Sequence, residues 1–239
     1  MAELLEQINA LGVDWHGAGT VSDRTLERLH WHLERLGGVG YSVETGTGRT
    51  TLLLSHYSRR HEVFAKDGGA ADDSLQKVAE SPLLRREAVT FVTGRTQQTV
   101  LSHEFAGPID LAFLDGPHAY PFPELEYWAI YPHIRAGGML IVDDLQLPSI
   151  ANMWAVLRTD RMWDVLDVSG DTGILTRTDA PTLDPYGDGW WEQDYNRGVS
   201  ARHLPWRSTG RLKALVPERV KWRLRRSYRP RARASARRD

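Results

Sequence analysis

Apolar residues in the middle of the chain fall into short β-rich runs separated by stretches with helical spacing. Ile109 to Leu114 and Met139 to Val142 are two such runs, and each ends in carboxylates, Asp115 after the first and Asp143-Asp144 after the second. Between them, Pro123 to Ile134 sets Leu125, Trp128, Ala129 and Tyr131 at the interval of a helix, with Gly137-Gly138 as its stop. A crossover of this length makes the two strands parallel, and parallel strands buried on both faces present ligands at their carboxyl ends. Asp115, His118, Asp143 and Asp144 are expected to converge at that rim. If the strands are neighbours, about 4.8 Å apart, one divalent cation can touch carboxylates from both.

Upstream the alternation continues. Ala2 to Leu11 reads as a short helix ended by Gly12, and Ser22 is the expected N-cap of a second helix through Leu36, with Leu26, Leu29 and Leu36 at core spacing. VGYSVETGTGRTTLLLSHY then reads as strand, tight glycine turn and a helix beginning near Arg49. A second strand, Glu62 to Lys66, ends at Asp67. A short helix over Asp73 to Ala79 leads to a third strand, Ala88 to Thr93, followed by Gly94-Arg95 and a helix to His103. Beyond the central stretch, Pro148 to Leu157 has helical spacing, and Trp163 to Val168 with Gly173 to Thr178 form a hairpin. This rhythm predicts an α/β fold with a doubly wound, mostly parallel sheet.

Composition narrows the chemistry. With 239 residues and 41% apolar content the chain can bury a full core. It has no cysteine, which excludes disulfides, thiolate metal sites and cysteine nucleophiles. No apolar run approaches the roughly 20 residues that span a bilayer, and MAELLEQINA is acidic and amphipathic where a secretory signal is basic and then apolar, so a cytoplasmic location is expected. The net charge of -1 conceals an asymmetry: residues 197–239 carry 15 Lys and Arg against 2 acids, leaving residues 1–196 with 15 against 29.

The glycine turn is the next candidate site. Gly46 and Gly48 allow close approach of backbone to a ligand, and the following helix offers free N–H groups at its positive end. A plain β-to-α turn has the same spacing. Thr51 stands where a dinucleotide fingerprint wants its third glycine, which disfavours NAD. Glu44, just before the turn, repels a pyrophosphate but welcomes ammonium or sulfonium charge. Asp67, 21 residues after Gly46, is placed to accept both hydroxyls of an adenosine ribose, although a loop aspartate beside Gly68-Gly69 is an equal reading. His30 and His32 lie two apart on a helix and face different ways, so they read as packing or surface residues. His16, in a glycine-rich loop, is a weaker candidate for covering a ligand.

Four stretches together carry a resemblance: E-T-G-T-G from Glu44 to Gly48, the acid Asp67 closing strand two, L-D-G-P-H-A-Y from Leu114 to Tyr120, and G-G-M-L-I-V-D-D from Gly137 to Asp144. In this order the chain resembles the class I S-adenosylmethionine-dependent methyltransferases, and more narrowly the metal-dependent O-methyltransferases of the macrolide-sugar and cephamycin type, over about residues 20–178. The resemblance implies a Rossmann-like sheet of seven strands, helices on both faces, closed by an antiparallel C-terminal hairpin. It implies S-adenosylmethionine held by Glu44, Thr45, Gly46, Thr47, Gly48, Asp67, Gly94 and Asp115. It further implies Mg²⁺, or Mn²⁺, on Asp115, Asp143 and Asp144, with His118 as base beside Asp115. Asp143 stands where the metal-using relatives often have Glu, which shortens its reach by one methylene.

Three parts are expected on this reading: N-terminal helices over 1–37 as a cap, the methyltransferase domain over 38–179, and a tail over 180–239, Trp-rich then basic and partly disordered. The expected acceptor is a hydroxyl of a small molecule, such as a sugar of a secondary metabolite or glycolipid. An RNA methyltransferase using the basic tail is one alternative, although no Asn-Pro-Pro-Tyr-like motif follows strand four. A non-catalytic cofactor-fold protein that binds a partner is another. For the tail, with Trp206, Trp222 and Tyr228 among its basic residues, contact with a membrane surface, with nucleic acid or with the acidic body are competing readings.

Overall fold

A computed structural model describes residues 1–15, 21–67 and 73–196. His16 and the basic tail lie outside the described residues, and no segment among the described ones is a helix long and apolar enough to cross a membrane.

Two helices come first, α1 (Ala2–Ala10) and α2 (Asp23–Leu36). The Ser22 hydroxyl accepts from the Thr25 N–H at 3.2 Å, and Gly37 closes α2 in the left-handed region that favours glycine. The chain then alternates through β1 (Val39–Thr45), α3 (Arg49–Tyr57), β2 (Ser58–Ala65), α4 (Ser74–Glu80), β3 (Val89–Thr93), α5 (Thr96–Thr99), β4 (Ile109–Leu114), α6 (Phe122–Ile130), β5 (Ile134–Val142) and α7 (Pro148–Leu157). A hairpin of β6 (Trp163–Ser169) and β7 (Thr172–Arg177) ends the sheet. Strand order is β3-β2-β1-β4-β5-β7-β6, parallel through β5 and antiparallel beyond it. The Rossmann-like sheet of seven strands stands as expected.

Successive strand residues point to opposite faces, and the two halves of the core follow that period. Leu111, Phe113, Met139 and Ile141 pack with Leu26, Leu29, Leu33, Leu52 and Leu53 of α2 and α3. Ala112, Leu114, Leu140 and Val142 pack with Ile130 of α6 and Ile150 and Met153 of α7. Helices thus cover both faces, and only the strand ends are left for chemistry.

Local boundaries differ from expectation in three places. β2 starts at Ser58, because Val39 pairs with Ser58, and of its polar residues Ser58 and His61 are buried through hydrogen bonds while Arg59 and Arg60 are exposed. α6 stops at Ile130, and a 3₁₀ turn over Tyr131–His133 leads straight into β5, so Gly137-Gly138 lie within that strand. They form a bulge there: Ile109 pairs with Ile134, but Leu111 pairs with Met139. After Gly94 the helix is a single turn, Thr96–Thr99. Beyond Asp179 the chain continues to pack on α6, where the Tyr131 hydroxyl donates to the Leu183 carbonyl at 2.8 Å and the Trp128 indole to that of Pro185 at 3.0 Å. Residues Met1–Tyr195 form one unit.

Candidate active site

The parallel ladder carries its hydrogen bonding past the strand ends and sets the candidate residues side by side. Gly46 N–H donates to Phe64 O at 2.9 Å, Gly94 N–H to Ala65 O at 2.9 Å, Asp115 N–H to Thr45 O at 3.1 Å and Asp143 N–H to Leu114 O at 3.1 Å. All of these lie at the carboxyl edge. Strand order reverses between β1 and β4, the switch point where open α/β sheets bind ligands.

At the centre, Asp115, His118 and Asp144 each offer a ligand atom, and these atoms lie within 4.8 Å of one another. His118 Nε2 is 2.8 Å from Asp144 Oδ2 and 3.5 Å from Asp115 Oδ1. Ser149, in the first turn of α7, donates to the His118 carbonyl at 2.5 Å and pins the loop. Hydrogen bonds with Asp115 and Asp144 push His118 up to about 10, so the imidazole holds its proton between them. Burial, then the neighbouring charges of Asp143 and Asp144, push Asp115 well above the carboxylate range, while the bond from His118 holds Asp144 below it.

Asp143 is set apart from this group. It is 8% exposed, its Oδ1 accepts from the Thr172 hydroxyl of β7, and burial pushes its carboxyl up to about 6. Asp144 reaches the opposite way because its backbone is left-handed, with φ of 59°. A non-glycine residue in that region is strained, and such strain gathers at functional sites.

The glycine turn has tasks the sequence did not reveal. Gly46 has φ of +89°, and a Cβ there would sit 2.3 Å from the Asp115 carbonyl oxygen, so the glycine makes room for the end of β4. Gly48 N–H donates to Thr51 Oγ1 at 3.1 Å, and Thr47 Oγ1 donates to Ser74 Oγ at 3.0 Å. Arg49, fully buried, donates to Asp23 Oδ1 and the Val21 carbonyl, both at 2.6 Å, and ties the turn to the start of α2. Glu44 is 1% exposed, and both oxygens are engaged inside the protein, one by the Thr50 hydroxyl and the other by His61 Nε2 at 3.0 Å. Sequence reasoning gave Glu44 to a ligand and did not name its partner His61. Asp67 stands exposed just past the end of β2.

Glu126 of α6 was also missed. It is 2% exposed and lies behind the Asp115–His118 loop; burial pushes it up to about 7, against the pull of the Thr96 and Thr45 hydroxyls. A carboxylate on the inner face of a helix carries no sequence signal, because helical spacing there picks out Leu125, Trp128, Ala129 and Tyr131 and passes over Glu126.

A doubly wound sheet with a glycine turn after β1 and acids after β2, β4 and β5 is the architecture of the class I S-adenosylmethionine-dependent methyltransferases. Residues 43–145 match a family model described as a methyltransferase domain, so the chain carries such a domain. Over 113 residues it is 23% identical to demethylmacrocin O-methyltransferase of Streptomyces fradiae, a match that takes in 46% of this chain and 26% of that one. The chain therefore spans about a quarter of that curated relative. Among solved structures, the O-methyltransferase TomG of Streptomyces achromogenes, in complex with SAM, superposes with a TM-score of 0.54 at 17% identity, covering 74% of this chain and 90% of TomG. MycE from the mycinamycin biosynthetic pathway, in complex with Mg, SAH and mycinamycin VI, gives 0.51 at 13% identity over 75% of this chain and 56% of its own. The structural likenesses establish the fold, and the family match bears out the resemblance to a methyltransferase over residues 43–145.

Proposed function

We propose that the protein is an S-adenosylmethionine-dependent O-methyltransferase, Mg²⁺- or Mn²⁺-assisted, acting on a hydroxyl of a small molecule of the natural-product or sugar type. The observation that carries this is the convergence of Asp115, His118 and Asp144 at the rim that also holds the glycine turn. MycE, with its Mg and SAH, and the macrocin relative support the acceptor class.

The residues fit both groups. Two carboxylates and an imidazole within 4.8 Å, with Asp115 raised by burial and by the charges of Asp143 and Asp144, form an oxygen-rich set suited to Mg²⁺ or Mn²⁺. Asp115 and Asp144 would hold the ion, with Asp143 completing the set after a turn away from Thr172. The turn over Thr45, Gly46, Thr47 and Gly48, with Gly94 and Asp115, would hold the cofactor, Asp67 its ribose, and Glu44 would shape the turn from inside. S-adenosylmethionine supplies an electrophilic methyl on a sulfonium, and a divalent ion acidifies and orients a hydroxyl. His118 moves the proton at Nε2. While Asp115 and Asp144 both lean on it, it is already protonated, so it accepts a proton only when those carboxylates are otherwise charge-balanced, and base catalysis of this kind is typically worth about 10²- to 10⁴-fold. Residues 1–37 would act as the cap over the site, 38–179 as the catalytic domain and 180–239 as an appended tail, in a protein of the cytoplasm, whether or not the tail brings it to a membrane surface.

Exhaustive chelation is expected to abolish methyl transfer and Mg²⁺ to restore it, read with labelled methyl donor and a panel of hydroxylated acceptors. Full activity after chelation ends the metal role. The charge of residues 197–239 favours one second reading, RNA methylation; steeply salt-dependent RNA retention, lost on cutting after Asp194, would support it. If S-adenosylhomocysteine does not bind at micromolar levels, the enzyme readings fail together and a partner-binding role remains.

A further inference from the structure

The inner face of α6 carries Pro123, Glu126 and Ile130. Two of the three are apolar, as packing on a sheet requires; a carboxylate at the third is costly to bury. Glu126 Oε1 has no hydrogen-bond partner among the described residues, so the carboxylate is held incompletely for a group so deeply buried.

Its surroundings are the ends of three strands. A Cβ added to Gly116 would meet both carboxylate oxygens at 2.3 Å, so the carboxylate occupies the space a side chain at Gly116 would take. The hydroxyls of Thr96, just after the β3 turn, and of Thr45, at the end of β1, favour its charged form. Thr45 Oγ1 also accepts from the Asp115 N–H at 3.2 Å, which leaves its hydrogen to point elsewhere. The chain of contacts therefore runs from Asp115 through Thr45 toward Glu126. Glu126 is outside the Asp115–His118–Asp144 group, and the cavity beside it, of about 10 Å³ and lined also by Asp115 and His118, has room for one water at most.

We propose that Glu126 is a positioning residue, whose carboxylate holds the strand-end loops at Thr45, Thr96 and Gly116 in register from behind and so shapes the cofactor crevice. This rests on the methyltransferase reading of that crevice. Three segments far apart in sequence meet at one carboxyl group, and a side chain at Gly116 would collide with it.

The test is calorimetric titration of the purified full-length chain with S-adenosylhomocysteine, alongside thermal unfolding. Glu126→Gln keeps the shape and removes the charge; it is expected to weaken binding by about ten-fold through loosened strand-end loops, with the unfolding temperature held or raised because an incompletely bonded buried carboxyl group is replaced by a neutral one. Gly116→Ala, which pushes the carboxylate away while leaving the backbone allowed, is expected to weaken binding in the same way, and it decides the matter if the glutamine variant does not fold. Wild-type affinity in either folded variant overturns the positioning role and leaves the cofactor reading intact. Absence of binding in the wild type overturns both.

Discussion

Asp144 is the residue where backbone and chemistry meet most tightly. Its left-handed conformation costs on the order of 1–3 kcal/mol, and in return its carboxylate faces His118 rather than Thr172. Asp144→Asn should fold normally, since Asn tolerates that conformation, and should lose at least 10²-fold in activity together with its response to Mg²⁺, measured by methyl-transfer assay. Gly46→Ala is the opposite case. Both its φ of +89° and the carbonyl at 2.3 Å reject a methyl group, so a loss of about 2–4 kcal/mol is expected in urea denaturation, with cofactor binding lost alongside. The pairing of Asp-x-x-His with Asp-Asp was legible in the sequence because both motifs end apolar runs. Which of the two final acids turns inward was not, since it depends on one φ angle and on Thr172, 29 residues away.

Among elements, β2 shows how a polar start can be buried. Ser58, Ser42 and His61 form a chain in which Ser42 Oγ is 2.6 Å from Ser58 Oγ and 2.7 Å from His61 Nδ1, and His61 passes the chain on to Glu44. Every member is at most 1% exposed. His61→Ala would leave Glu44 and Ser42 short of partners in a dry interior, and a destabilisation of about 2–4 kcal/mol is expected from chemical unfolding. A conservative His61→Gln should recover part of it. Hydrophobic spacing located β1, α3, β4, α7 and the hairpin, because each has an apolar face of the right period. It missed the first residues of β2, where cross-strand hydrogen bonds replace apolar contact, and the first residues of β5, where a bulge breaks the alternation.

At the level of the whole molecule, α2 is joined to the last hairpin by Thr25, whose hydroxyl donates to the Ser169 carbonyl at 3.2 Å, and by a carboxylate. Asp167 of β6 accepts from Arg28 Nε at 2.8 Å and lies 2.9 Å from His32 Nε2, both on α2. Burial alone would raise Asp167, but the hydrogen bonds from His32 and Arg28 outweigh it and hold the carboxyl below its ordinary value. A lowered folded-state value means stability that is present above the unfolded pKa, near 3.9, and is lost as pH falls through the folded one. Asp167→Asn should therefore lower the urea midpoint at pH 7, and the gap from wild type should close as the pH is taken from about 4 into stronger acid.

By itself the sequence determined the order of strands and helices, the two-faced core and the residues that close each strand, because periodicity and strand-end chemistry are local properties. Tertiary structure decided which of those residues meet. Asp115, His118 and Asp144 come together while Asp143 and Glu44 are taken up by Thr172, Thr50 and His61. Glu126 and His61 entered the site only when distant segments were packed around them. A buried polar group is defined by its partners, and partners far apart in the chain are set by the way the sheet is wound.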